Sequence, residues 1–189
     1  MTSAAQLREA GTAFLGEPVL AAGIFSAGSA MAASIAGAAG GATVGEIVTE
    51  QAQEIGIEAA VESVVGEVAG SVVGGVVTGA TAYAGMQVAR EAAAAAEGLT
   101  PVLIVMVTGS RYVIGDWQGT AASGTGPTRI LAEFDRDRTA LTYDKIGVNR
   151  FVTFDDGAKS VRISGALGVL SSGKEGKRDV LELLGHPNA

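Results

Sequence analysis

Cysteine is absent from the 189 residues, which excludes disulfides, thiolate zinc sites, iron–sulfur clusters and cysteine nucleophiles. Histidine occurs once, and aromatic residues make up only 5% of the chain. Basic residues are also scarce: 13 Lys and Arg stand against 20 Asp and Glu, a net charge of −7. Nucleic acid is therefore not the expected partner, because phosphate binding rests on Lys and Arg. The opening MTSAAQLREAGTAFLGEPVL has no basic stretch ahead of an apolar core, and Glu9 and Glu17 interrupt it. It is not expected to act as a signal peptide.

What the chain has in quantity is glycine, alanine and valine. Glycine alone accounts for 28 residues, and mean hydropathy is +0.35. Such a composition suits close approach of backbones better than a thick side-chain core. Residues 18–45 carry no charge, residues 46–67 carry six glutamates and no Lys or Arg, and VAGSVVGGVVTGATAYAGMQVA (68–89) is again uncharged. The charge map thus predicts three segments: 1–26, 27–97 and 98–189.

The last segment reads as strands. PVLIVMV (101–107) is a short apolar run of buried type, and RYVIGDW (111–117) alternates. TRILAEF, RTALTYD and RFVTFDD continue the series. Asp156-Gly157 ahead of AKSVRIS marks a hairpin, because both turn positions accept positive φ. KEGKRDVLELLG then predicts a closing helix with Val180, Leu181 and Leu184 on one face and Gly185 as its stop. The expected class is α+β, a small antiparallel β-sandwich or barrel with a C-terminal capping helix.

In the middle segment, Glu46, Glu50, Glu54, Glu58 and Glu62 recur every four residues, so they share one helical stripe. That stripe reads as a solvated face rather than as a cation site on Glu50, Glu54 and Glu58. Gly66, Gly70 and Gly74 are spaced by four, as are Ser71, Gly75 and Gly79, and earlier Gly37, Gly41 and Gly45. Small residues four apart form a groove that lets helix axes approach closely. Each glycine in a water-exposed helix costs about 1 kcal/mol relative to alanine, so packing or lipid must compensate. These nine residues are the expected helix-packing and oligomerisation positions of a glycine-zipper helical hairpin.

As a helix, residues 68–89 would reach about 33 Å at about 1.5 Å per residue, enough for a hydrocarbon core. No Lys or Arg lies between Pro18 and Gln87. A membrane-inserted hairpin would accordingly have both termini in the cytoplasm. Against insertion, AGSAMAASIAGAAGGATVG (27–45) has only Met31, Ile35 and Val44 as bulky apolar residues. Three readings stay open: a membrane hairpin, a soluble hairpin buried in a homo-oligomer, and an extended Gly/Ala insertion. The expected location is the cytoplasm or the cytoplasmic face of the inner membrane.

No catalytic, cofactor or metal constellation is read from the residues. GVLSSGKE (168–175) has P-loop spacing of Gly168, Gly173 and Lys174, but Glu175 replaces the Ser/Thr that would hold magnesium. GTAASGTGP (119–127) reads as a turn-rich loop. His186 falls in the tail GHPNA, where looseness is expected. Asp135, Arg136, Asp137 and Arg138 read as a salt-bridged turn, Asp155 and Asp156 as a hairpin turn, and Trp117 and Tyr112 as core or rim residues.

VLIVMVTGSRYVIGDW, RILAEFDRDR, FVTFDDGAKSVRI and the closing helix together resemble the strand series of bacterial pleckstrin-homology-like domains. FLGEPVLAAGIF resembles the first strand of actinobacterial members that carry a Gly/Ala-rich insertion before the second strand. The resemblance covers residues 12–26 and 98–185. It implies a fold and a scaffold role with no catalytic residues to transfer. The chain has few of the loop lysines and arginines that phosphoinositide-binding relatives use. The expected function is a non-enzymatic, self-associating scaffold, a homo-oligomer with membrane lipid as a second candidate partner and no small-molecule substrate. A soluble homo-oligomeric assembly, a lipid- or ligand-binding module and a pore-former are the alternatives.

Overall fold

The computed structural model describes residues 2–31, 89–119, 124–169 and 171–187. The chain divides into two compact units, one of Met1–Ala27 with Val102–Ala189 and the other of Gly28–Pro101.

The first unit opens on helix α1, Ala4–Leu15. Its start is a capping box: Ser3 N donates to Gln6 Oε1 at 2.8 Å, and Gln6 N donates to Ser3 Oγ at 3.2 Å. Gly16 ends it in the left-handed region at φ 70°, donating to the Thr12 carbonyl. Thr12 Oγ1 then accepts from Val19 N at 3.2 Å and fixes the entry to strand β1, Val19–Ala27. The resemblance extends the first strand back through Phe14 and Leu15, but those residues belong to the helix, and the capping box with its glycine stop is the reason.

Strands β2 (Val102–Thr108), β3 (Arg111–Asp116), β6 (Ile130–Asp135), β7 (Ala140–Ile146), β8 (Asn149–Asp155) and β9 (Ser160–Ala166) join β1 in one sheet. The order is β6-β3-β2-β1-β9-β8-β7, and every pairing is antiparallel. A separate two-residue pair, β4 (Gln118–Gly119) and β5 (Gly124–Thr125), lies in the β3–β6 connection. The two edge strands are consecutive in the chain, so the turn at 136–139 draws the edges together at one corner. Ring contacts across the fold agree. Phe154 of β8 lies 5.5 Å from Phe134 of β6 and 5.4 Å from Tyr112 of β3. The sheet therefore curls over a shared interior, as a small sandwich or barrel does.

β1 pairs with β9 only at Ser26↔Ser164 and Ala27↔Ile163, whereas it pairs with β2 along nearly its whole length. The stretch of β1 before Ser26 thus has no β9 partner, and helix α2, Lys174–Leu183, packs there. The approach is close: a Cβ on Gly23 would fall 2.7 Å from the Gly176 carbonyl oxygen, and one on Gly176 would fall 2.6 Å from the Ala22 oxygen. Val180 and Leu181 are buried behind this contact. On β1, β2 and β3, a second buried layer joins Ala22, Ile24, Ile104, Met106, Val113 and Trp117 to Leu7 of α1.

Asp116, 4% exposed, holds the β3–β6 connection. Its carboxylate accepts from Thr128 N at 2.7 Å, Thr128 Oγ1 at 2.6 Å and Arg129 N at 2.9 Å. Burial alone would raise its pKa, but these donors outweigh burial and hold it below the usual range. Asp156-Gly157 does lie in the β8–β9 hairpin connection, but that connection is the four residues 156–159 and the strand starts at Ser160 rather than at Ala158. Gly157 has φ 82°, and Asp156 Oδ1 accepts from Ala158 N and Lys159 N. Residues 135–138 do make the β6–β7 turn, but among the described residues no ion pair joins them. Arg136 instead donates to the Thr108 carbonyl and lies over the Tyr112 ring.

Candidate functional site

β1 and β2 stay in register up to Ser26↔Val102, and the long connection departs directly beyond that pair. Its two described ends are helical, at residues 28–31 and 89–96. Ser29 Oγ donates to Glu97 Oε2 at 2.9 Å, so the first and last turns of the second unit are tied across 68 positions of sequence. Burial raises the Glu97 carboxyl above its ordinary pKa, against the lowering pull of the Ser29 hydroxyl. The second helix stops at a glycine: Gly98 has φ 70°, Leu99 N donates to the Ala94 carbonyl and Gly98 N to the Ala95 carbonyl. Ala30, Ala93, Ala94 and Leu99 are all buried. Their burial accounts for alanine here, since a small side chain lets neighbouring backbones come near.

The nine glycine-zipper positions, Gly37, Gly41, Gly45, Gly66, Gly70, Ser71, Gly74, Gly75 and Gly79, lie outside the described residues, as does the glutamate stripe. Among the described residues no helix is long and apolar enough to cross a membrane. Of residues 68–89, only Ala89 is among those described.

A second feature is the end of the sheet where the β7–β8 turn meets residues 167–169, near residues 171–173 and α2. The Tyr143 hydroxyl donates to the Leu184 carbonyl, which pins the end of α2 to β7. His186 is not loose. It is 5% exposed, its ring is 5.2 Å from Tyr143 in an edge-on contact, and burial lowers its pKa while the Asp144 carbonyl opposes that shift. The preceding Gly185, at φ 75°, turns the chain back for this contact. Lys177 is 8% exposed and donates from Nζ to the Ser172 carbonyl at 3.1 Å. Burial holds its ammonium below the ordinary lysine pKa. In the near-P-loop, Gly173 caps α2 in the left-handed region, Lys174 is exposed, and it is Lys177 that reaches into the loop. Nothing in KEGKRD distinguishes Lys177 as the buried lysine, except that it shares the i, i+3, i+4 face of Val180 and Leu181.

Trp117 is buried, and Gly124 packs against it so closely that a Cβ there would overlap the indole. An open, shallow groove of about 500 Å³ runs alongside, lined by Thr2, Gln6, Ala10, Trp117 and Gly124–Gly126. Tyr112 is buried within the sheet interior. Among the described residues no three His, Asp or Glu side chains gather where they could hold a metal ion. Comparison with protein-family models, with curated proteins and with solved structures finds no match to this chain.

Proposed function

We propose that the chain is a non-enzymatic scaffold, a pleckstrin-homology-like β domain that carries a self-associating insertion. One observation bears most of this reading: the insertion leaves and re-enters between two strands that are already fully paired, and its ends are tied by Ser29 and Glu97. A module attached in this way leaves the β unit complete without it. The strand order supports the finer fold assignment. Counting only the seven strands of the main sheet, it reads 4-3-2-1-7-6-5, with a closing helix against the first strand. The resemblance implies a series of strands closed by a helix, and this order accommodates it.

The insertion's glycine spacing supports helix-to-helix packing through Gly66, Gly70, Ser71, Gly74, Gly75 and Gly79, with Gly37, Gly41 and Gly45 as the matching row. The proposed product is a homo-oligomer, in the cytoplasm or at the cytoplasmic face of the inner membrane. Gly70→Leu with Gly74→Leu fills the groove, and the molar mass of the assembly in light scattering should fall. An unchanged mass would remove the glycine groove from the account.

A further inference from the structure

The end of α2 is a Schellman motif whose last position is titratable. Gly185, in the left-handed region at φ 75°, donates to the Glu182 carbonyl at 3.0 Å, and His186 N donates to the Leu181 carbonyl at 2.9 Å. The residue after the left-handed glycine commonly packs an apolar side chain back on the helix. Here that residue is the one histidine of the chain, and it is 5% exposed. Its ring lies 5.2 Å from the Tyr143 ring in an edge-on contact, and the Tyr143 hydroxyl donates to the Leu184 carbonyl. A single residue of β7 thus holds both the helix end and the side chain that follows it.

The surroundings favour the neutral imidazole. β7 faces it with the Tyr143 phenol, which burial keeps protonated, and with the main-chain carbonyl of Asp144. The Asp144 carboxylate itself is engaged by Arg162 at 2.9 Å. β8 sets the positive charge of Arg150 against the ring, and that guanidinium also donates to the Gly147 and Asn149 carbonyls. On α2, Glu182 is exposed and lends the motif its carbonyl. The carbonyl end of a helix favours a cation, as does the Asp144 carbonyl. Burial, the largest influence, and Arg150 outweigh them and hold the pKa below the ordinary histidine value.

We propose that the end of α2 is an acid-released latch: protonated His186 leaves its place against Tyr143, and residues 184–187 detach from β7 while the sheet stays folded. An imidazolium needs solvation, which a covered site beside Arg150 supplies poorly and water supplies well. Departure of the ring opens the Schellman turn, frees the Leu184 carbonyl from Tyr143 and uncovers Leu181 and Leu184, which are 0% and 4% exposed in the closed form. Acid thereby turns a covered apolar surface into an open one. Closing is fully favoured above the open-form value of about 6.5 and weakens by up to about tenfold for each pH unit below it, until the closed form itself takes the proton. The latch belongs to the β unit and is separate from self-association through the insertion.

The test is hydrogen exchange of the full chain at about pH 7.5 and about pH 5.5, read by mass spectrometry and corrected for the intrinsic rate at each pH. Protection of the Leu184, Gly185 and His186 amides should fall several-fold, up to about tenfold, at the lower pH. Protection of Ile104 and Val105 in β2 should stay the same. His186→Phe puts an apolar ring in the same place, and its helix end should be equally protected at both pH values. The thermal midpoint verifies that this variant folds. Because the chain has one histidine, a single imidazole resonance reports the titration directly, and its midpoint should lie below about 6.5.

Equal protection of residues 184–186 at the two pH values overturns the proposal. So does an equal loss in β2, which would mean unfolding of the whole unit rather than release of one end. The same loss in His186→Phe likewise overturns it, since another group would then be titrating. An imidazole midpoint at or above about 6.5 would mean that the site favours the cation, and no acid release would follow. The exchange comparison and the imidazole titration both use the parent chain, so they decide the matter even if the variant does not fold.

Discussion

Replacing Gly176 with alanine sets two opposed effects against each other, and the geometry decides between them. In a solvent-exposed helix the change would stabilise by about 1 kcal/mol, because alanine loses less backbone entropy. Here the added Cβ would lie 2.6 Å from the Ala22 carbonyl oxygen and 3.4 Å from the Gly23 Cα. Both atoms are backbone of β1, so no rotamer change relieves the contact. α2 must lift by a few tenths of an ångström or more, drawing Val180 and Leu181 out of full burial. Overpacking of this kind costs about 1–3 kcal/mol. With the clash on backbone atoms, the cost falls in the upper part of that range, about 2–3 kcal/mol, and after the propensity gain the net loss should be about 1–2 kcal/mol. With a urea slope of about 1–2 kcal/mol/M for a domain of this size, the unfolding midpoint should drop by roughly 1 M. Trp117 is the sole tryptophan and is buried in the α1 layer, so its emission reports the transition directly. Glu182→Ala, at an exposed position of the same helix, serves as the control and should leave the midpoint in place. A Gly176→Ala midpoint equal to or above that of the parent chain would refute the close seating of α2 on β1.

Asp116→Asn should cost about 1–2 kcal/mol at neutral pH, since a charged acceptor of three hydrogen bonds is lost. The folded pKa of Asp116 is depressed, so its stabilisation is present above the unfolded value of about 3.9 and is lost as pH falls through the folded value. Denaturation curves of the two proteins should converge in acid; a constant gap would contradict that assignment. His186 also has a depressed folded pKa, so stability should fall as pH drops below about 6.5, and His186→Phe should flatten that part of the profile. Glu97 has the reverse sign: its raised pKa means its contribution is present below the unfolded value and is lost as pH rises through the folded one. Glu97→Gln keeps an acceptor for Ser29 and should slow amide exchange at Gly98 and Leu99 at neutral pH; faster exchange would show that the charged form is the one that binds. Tyr143→Phe should lose about 1 kcal/mol with its hydrogen bond to the Leu184 carbonyl, and no change would mean that the ring contacts alone hold the end of α2.

The strands of the β unit are visible in the sequence because each is bounded by a turn of known chemistry. Gly109-Ser110, Gly147-Val148 and Asp156-Gly157 punctuate the runs. β7 alternates with one open face, whereas RYVIGD, whose alternation suggests a half-exposed strand, is buried along nearly its whole length, as β2 is. α1 is harder to see, because its only fully buried large residue is Leu7 and small residues such as Gly11 and Ala10 blur its periodicity. Its signature is Ser3 with Gln6 at one end and Gly16 at the other, a local capping signal that a hydrophobic pattern misses. The meeting of the β7–β8 turn with residues 167–168 is invisible in sequence for a different reason. Only the Leu167–Val148 hydrogen bond brings them together, and Lys177 is buried only because α2 packs on β1. His186 looks like tail until Gly185 folds it back on Tyr143.

The scaffold reading stands or falls on whether residues 28–101 carry the self-association. The direct measurement is molar mass by light scattering, comparing the full chain with one in which Asn-Gly replaces residues 28–101, so that a three-residue turn, Ala27-Asn-Gly, spans the Ser26–Val102 pair that β1 and β2 already form. The account predicts an assembly of several copies for the full chain and a folded monomer for the shortened one. Two monomers, or two assemblies of equal copy number, would contradict it.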